Sequence, residues 1–494
     1  MHSKQELMKS DNRKIMALAL SLLIIAAPGC RKFLDVNENP NLPQDASVEL
    51  LLPSAEAAIG HVLGAPLQIY GSMWSQYWTQ NPFSSQYRSI DQYSLTTTSF
   101  DRPWRMIYAD ALADLQVILQ MSDGHEDFSQ YSAIAYILKG YTFQLATDAF
   151  GDVPLGEALN PEITSPEYTP QQEVYDSIVA YIDKGIAMIN VDAEVTPGSD
   201  DLIFQGDMDS WMKFANTLKL RVLMRLSEVA PDKAAAGIQS LNGAAFLTED
   251  AQIAYSTTGG NQNPLFAEML GLGRTQNIVA SETVTKFMTD NNDPRAEIFF
   301  DRYEADDMDT IVGIPQGSYR TTTPVFSVPS VLVGANGLED ESGQAPVKFI
   351  SGAESYFLQA EAVVRGWMDG DAAAMFEQGI TSSFESYDVE GVEDYIASSP
   401  AAQWPEEADM QGVIRAIILQ KYLAMTGNQG FEAWSEWRRT GYPDFFVVSE
   451  ATALGDDRLP ARLLYPSSEV TRNVNFENFP GLKQVFEPVW WDVK

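Results

Sequence analysis

The chain has 494 residues, 45% of them hydrophobic, which is enough to bury a substantial core in one large domain or in roughly two to four smaller ones. Its 32 Lys+Arg against 68 Asp+Glu leave a net charge of −36, a surface that repels phosphate backbones and speaks against nucleic-acid binding. Such carboxylates serve solubility, and they also suit sugar hydroxyls or calcium, between which composition does not choose.

Lys4, Lys9, Arg13 and Lys14 form a basic n-region, residues 15–25 an apolar h-region, and Ala26 to Gly29 a small-residue approach to Cys30. Residues 1–29 thus read as a secretory signal, with Cys30 where a lipoprotein signal peptidase would cut and free a thiol for lipidation. Ala27 stands where the commonest lipobox has Leu, and ordinary secretion with an incidental cysteine is the other reading. Cys30 is the only cysteine, so disulfides are absent and packing must supply the stability. Residues 30–45, with Asn37, Asn39 and Pro40, form a polar tether. No later apolar run reaches the roughly 18 residues of a spanning helix, so the mature chain is expected to be lipid-anchored, not inserted.

Helical spacing returns over residues 50–63. The next segment is the most aromatic of the chain. Tyr70, Trp74, Tyr77 and Trp78 follow helical spacing, as do Trp104 and Tyr108 at the head of a helix over 104–120. Phe83, Tyr87 and Tyr93 lie among Ser, Gln, Asn and Thr with no clean period, where loop aromatics can present flat faces to sugar rings or peptide side chains. Trp78, at its helix end, joins them as a candidate.

Residues 133–145 space Ile134, Ile137, Leu138, Tyr141 and Leu145 as a core helix, with Gly140 and Ala146 admitting a close neighbour. Periodicity stops at Asp148, and Gly151, Asp152 and Pro154 predict a rigid turn. Thr169 as N-cap and Pro170 at the first position open the next helix. The helix through Trp211, Phe214, Leu218 and Val222 carries Asn216, Lys219, Arg221 and Arg225, read as helix-surface groups or helix-pair partners. Residues 254–281, rich in Gly, Asn, Gln and Thr, form a long loop of the functional or mobile kind, with Asn261, Gln262, Asn263 and Arg274 as hydrogen-bonding candidates. Asp293 and Arg295 order a turn, and Asp306, Asp307 and Asp309 sit in a solvated acidic loop that lacks the Gly and Glu of an EF-hand. Two apolar stripes across a polar break, at 356–367 and 373–384, predict a helix hairpin, and the pattern recurs at 413–425 and 430–439. Arg438 and Arg439, in a last turn closed by Gly441 and Pro443, read as internal ion-pair partners.

Several of these stretches share wording with one family. The runs DAFGDVPLGEAL at 148–159, GDMDSWMKFANTLKLR at 206–221, NDPRAEIFF at 292–300, GIPQGSY at 313–319 and QKYLAMTGNQGFEAWSEWRRTGYP at 420–443 resemble the SusD/RagB family of outer-membrane nutrient-binding lipoproteins. So do the FLDVNENP segment after Cys30 and RLLYPSSE at 462–469. The resemblance spans nearly the whole mature chain. It implies a mainly α fold in which tetratricopeptide-like helix pairs form a right-handed superhelical scaffold with long irregular loops, as a single domain over 46–494. It further implies a lipid-anchored cell-surface protein that captures oligosaccharides, or in some relatives peptides, for a SusC-like TonB-dependent transporter, without breaking a bond.

Catalytic signatures are missing. Past the signal, His61 and His125 are isolated, no Gly-x-Ser-x-Gly or His-Glu-x-x-His occurs, and the GLGRTQ run at 271–276 fails the dinucleotide fingerprint. No cofactor or metal is expected. Among 68 acidic residues a glycosidase pair is not excluded, so a surface glycoside hydrolase, or a helical adhesin or scaffold, is the alternative. The candidate ligand-binding set is Trp78, Phe83, Tyr87, Tyr93, Asn261, Asn263 and Arg274.

Overall fold

Proline shapes the first helix. α1 (Val48–Val62) runs through a π-helical turn at Leu63–Leu67 into α2 (Gln68–Trp74), and the turn contains Pro66, which has no N–H to continue the i→i−4 ladder. By length and composition Val48–Trp74 is apolar enough to cross a membrane, contrary to the expectation that no run past the signal is. Core packing accounts for that apolarity, because Leu52, Ala55, Ile59, Val62 and Leu67 are all buried within the protein. This computed structural model describes residues 47–305, 308–318, 325–455 and 457–494. Cys30, the signal peptide, the tether, Asp306, Asp307 and Tyr319 lie outside the described residues.

Four further helices stack in order: α3 (Ala113–Met121), α4 (Ser129–Phe150), α5 (Gln171–Met188) and α6 (Met208–Arg225), each packed on the one before. Small residues set their separation. A methyl placed on Gly185 would meet Ile137 at 2.6 Å, and one on Gly140 would meet Ile182 at 2.9 Å, so α4 and α5 approach closely because both faces carry glycine. α4 extends to Phe150, one turn beyond where the apolar period ends, and Gly151 at φ +88° closes it. Thr169 is not the cap of α5. Pro170 occupies the N-cap position, and the free Gln171 N–H is met at 2.8 Å by Asp152 from the preceding turn.

The strands are short pairs that tie loops together. β1 (Trp78–Gln80) pairs antiparallel with β5 (Ile278–Ala280), β2 (Val153–Pro154) with β3 (Tyr168–Thr169), and β4 (Ala251–Ile253) with β8 (Val347–Ile350). β6 (Tyr303–Ala305) and β7 (Met308–Thr310) make a hairpin, so Asp309 belongs to a strand and pairs with Arg302, not to an open acidic loop.

After α7 (Glu282–Asp290), the C-terminal helices are α8 (Gly352–Val364), α9 (Ala372–Glu385), α10 (Met410–Ala424) and α11 (Gly430–Thr440). α8 and α9 form the hairpin read from the stripes, with Gly379 leaving room for the Phe357 ring. The fold is mainly helical. Val48–Lys494 forms one compact unit.

A buried charge cluster joins the helices of its two halves. Arg225 of α6 lies 2.6 Å from Glu432, also pairs with Glu436 of α11, and reaches Asp148 of α4 at 3.4 Å. Arg439 bridges Glu436 at 2.7 Å and Glu361 of α8 at 2.6 Å, while Lys421 of α10 stands 3.2 Å from Glu436. All of these side chains are buried. Arg439 is thus the expected internal ion pair, whereas Arg438 serves carbonyls, donating to Asp148 O at 2.7 Å and Ala461 O at 3.1 Å. Of the polar groups read on α6, Lys219 pairs with Asp183 near the surface, whereas Arg221 and Arg225 are interior and pair with acids on other helices, the second of the two readings, with partners far away in sequence.

Burial alone would raise the Glu436 carboxyl, but Arg439, Lys421 and Arg225 outweigh it and hold the group well below the usual carboxylate range. A carboxyl lowered by folding contributes stability that is present above its unfolded pKa and is lost as pH falls through the folded value. Glu436→Gln is therefore expected to destabilise by about 3–5 kcal/mol at neutral pH by leaving buried cations underpaired, a deficit that shrinks in strong acid. Urea titrations from pH 7 to 3 check this, and a deficit that stays constant across that range counts against the cluster.

Candidate functional site

The aromatic segment after α2 and the polar loop before α7 are stitched together by β1 and β5. Asn81 N donates to Asn277 O at 2.9 Å and Asn81 Nδ2 to Gln276 O at 2.7 Å, extending the pairing past the strands. Asn81 Oδ1 then accepts from Phe83 N at 2.9 Å, fixing the turn from which the Phe83 ring projects, 72% exposed. Its neighbour is Phe326, with ring centroids 6.1 Å apart at 50°. The Phe83 ring on its pinned turn and the half-buried Phe326 ring of a second segment form an open platform.

The other candidates fall elsewhere. Trp78 is in β1, not at a helix end, and is fully buried. Tyr87 and Tyr93 are buried as well: the Tyr87 hydroxyl donates to Glu268 at 3.3 Å, and the Tyr93 oxygen accepts from Ser449 N at 3.1 Å. Asn263 is buried as the N-cap of the helix Pro264–Gly271, accepting from Leu265 N at 2.9 Å. Asn261 and Arg274 are exposed, Arg274 pairing with Asp340. The polar neighbours of these aromatics spend most of their hydrogen bonds inside the segment, Thr79 on Asp91 and Gln80 on Ser84 and Tyr87 N, with Asn81 reaching Gln276 and Asn277, and the rings turn inward.

Trp78 and Tyr93 instead build a cleft from behind. A cavity of about 670 Å³ is walled by Phe287 and Phe445, stacked at 4.9 Å and 21°, and by Pro315, Val447 and Val448, with Glu282, Lys286 and Glu450 at its edge. Gln316 lines it and anchors its floor, donating to Met73 O at 3.1 Å, Trp78 O at 3.0 Å and Asp91 Oδ1 at 2.8 Å. Gln76 holds the opposite wall through Val447 O at 2.6 Å and Thr283 Oγ1 at 2.8 Å. Sequence reasoning missed Phe326, Phe287 and Phe445. Gln316 carried a signal, the GIPQGSY run, without a role attached.

Burial pushes the Asp91 carboxyl up to about 6, although Gln80 N–H, the Thr79 hydroxyl and Gln316 all donate to it. Among the described residues no group of three or more His, Cys, Asp or Glu side chains is placed to hold a metal ion.

Residues 40–466 match the profile of a family described as SusD-like, starch-binding associating with outer membrane. The chain belongs to the SusD-like family. Among solved structures, a SusD homologue from Bacteroides uniformis is 25% identical, with a TM-score of 0.76 over 91% of this chain and 100% of that one. A chitin-binding SusD homologue from Flavobacterium johnsoniae is 24% identical, with a TM-score of 0.75 over 90% of this chain and 99% of that one. A SusD-like protein from Bacteroides thetaiotaomicron is 23% identical, with a TM-score of 0.76 over 91% and 99%. No curated protein matches the sequence. These neighbours place the platform and cleft of this SusD-like chain on a fold shared across its length.

In this SusD-like protein Asp91 is the hub that joins β1 to the Gln316 loop. Asp91→Ala strands two buried donors, the Gln80 N–H and the Thr79 hydroxyl, while Gln316 keeps Met73 O and Trp78 O; it is expected to cost about 2–4 kcal/mol, with Asp91→Asn, which keeps an acceptor, costing less than half as much. Thermal and urea unfolding of the two variants check this; equal losses would show that the hydrogen bonds do not hold the loop.

Proposed function

We propose that this SusD-like protein binds oligosaccharides at the cell surface, with the Phe83–Phe326 platform as the stacking surface, and passes them intact to a SusC-like TonB-dependent transporter. Peptide is the second ligand class within the same reading. The observation that carries it is Phe83: a large ring held on a hydrogen-bonded turn, yet 72% exposed, which an isolated protein has no packing reason to display. Sugar rings present apolar C–H faces that stack on such aromatics, and the pinned turn limits the entropy lost on binding. Family membership and a chitin-binding neighbour on the same fold support a carbohydrate ligand. The cleft lined by Gln316, Phe287 and Phe445 offers a separate concave surface of the size of a few sugar units.

Anchoring follows from Cys30, lipidated after removal of residues 1–29, which would keep the binding body at the outer membrane. The mechanism is affinity and delivery, with no catalytic residue assigned. An array of α-glucan and chitin oligosaccharides on the soluble chain lacking residues 1–30 tests it. Phe83→Ala is expected to weaken the best ligand by about tenfold or more, near 1.5 kcal/mol, with Phe83→Trp retaining affinity. Unchanged affinity in Phe83→Ala, or shortening of the ligand during incubation, would overturn the proposal.

A further inference from the structure

In a chain of net charge −36, positive charge without a carboxylate partner is informative, and one groove holds two such groups. It lies between α3, α4 and α5, has a volume of about 690 Å³, and is lined by Gln116 and Gln120 of α3, Tyr136 and Lys139 of α4, and Tyr181 and Lys184 of α5. Lys139 is only 7% exposed, and its ammonium donates to Gln116 Oε1 at 2.8 Å while lying 4.8 Å from the Tyr181 ring centroid. Lys184 donates to the Tyr136 hydroxyl at 2.5 Å and sits 4.1 Å over that ring. Every group met by either ammonium is neutral. Asp123 lines the groove without coming within ion-pair distance of either lysine, and Asp183, beside Lys184 in sequence, is engaged by Lys219 at 2.6 Å.

Interior cations are ordinarily neutralised, as Arg225, Arg439 and Lys421 are in this same molecule. Buried Lys139 is left with neutral partners only, and exposed Lys184 lines the same cavity, with amide and hydroxyl groups around them. We propose that this groove is a second binding site, distinct from the Phe83 platform, and that it takes the carboxylate of an acidic sugar, a uronic-acid unit whose charge lies between Lys139 and Lys184 and whose hydroxyls meet Gln116 and Gln120. The volume suits one or two sugar units, and the two lysines supply local positive charge that the otherwise acidic chain lacks.

The protonation of Lys139 gives the site a signature. Burial first, and the Lys184 charge second, lower its pKa to about 8. The groups facing it are Lys184, Tyr136, Tyr181 and, at the rim, Asp123. A bound carboxylate favours the charged form, so binding takes up a proton above pH 8 and affinity falls by up to tenfold per pH unit there.

The test is calorimetric titration of the chain lacking residues 1–30 with digalacturonate, a neutral disaccharide, a glutamate-rich peptide and inorganic sulfate, at pH 7 and pH 9. Digalacturonate is expected to bind more tightly than the other three, to weaken at least tenfold in both Lys139→Met and Lys184→Gln, to weaken at pH 9, and to be unaffected by Phe83→Ala. That last variant separates this site from the platform. Lys184→Gln alters an exposed group, so it serves as the readout if Lys139→Met does not fold. No digalacturonate binding, equal binding in the lysine variants, preference for the peptide, or equal competition by sulfate would each overturn the assignment.

Discussion

The arginine and glutamate cluster at the centre of the helices is the constraint on which the rest of the structure depends. Arg225 and Glu436 stand 211 residues apart in sequence, yet their contact joins a helix of the first half to one of the second. Removing charges from water is expensive, and only close, multiply hydrogen-bonded geometry offsets that cost. Arg439 meets both Glu361 and Glu436, and Arg225 meets Glu432, Glu436 and Asp148, so each cation is shared among acids on different helices. Such a cluster tolerates few alternative packings. It fixes which helices meet and in what register.

Loops then inherit their positions from the helices. α4 ends at Gly151, and the RLLYP run of the tail returns to cap it, with Leu463 N donating to Ala149 O at 2.8 Å and the Tyr465 hydroxyl to Asp152 O at 2.8 Å. Two of the family-like motifs therefore exist because they touch each other. At the cleft, Asp91, Gln316 and Gln76 fasten three separate segments together. Phe83 is exposed on a turn held by Asn81, so its ring is fixed in place without being packed.

Much of the scaffold was legible in the sequence because it is local. The stripe of α4, the glycine at its interface and the α8–α9 hairpin all follow from spacing within one or two helices. The charge cluster was only half legible: Arg438 and Arg439 read as internal, but spacing left Arg221 and Arg225 open between helix surface and helix pair, since their acids lie on α8 and α11. For the site, Phe83, Tyr87 and Tyr93 shared the same polar neighbourhood, and nothing within that window distinguishes the exposed ring from the two buried ones. The distinction is made by distant segments: Tyr87 reaches Glu268 and Tyr93 meets Ser449 N, whereas the exposed Phe83 ring meets Phe326. Phe326 and Phe445 carry no local mark at all, and enter the site only through tertiary contact.

The central claim is a stiff helical body that grips sugar through a small, pre-set loop surface. Hydrogen exchange on the soluble chain, with and without a saturating oligosaccharide, tests it most directly. New protection confined to residues 81–88, 275–281 and 325–328, with the exchange of α4, α6 and α11 unchanged, is the expected result. Protection spread through those helices, or none around Phe83, would contradict it.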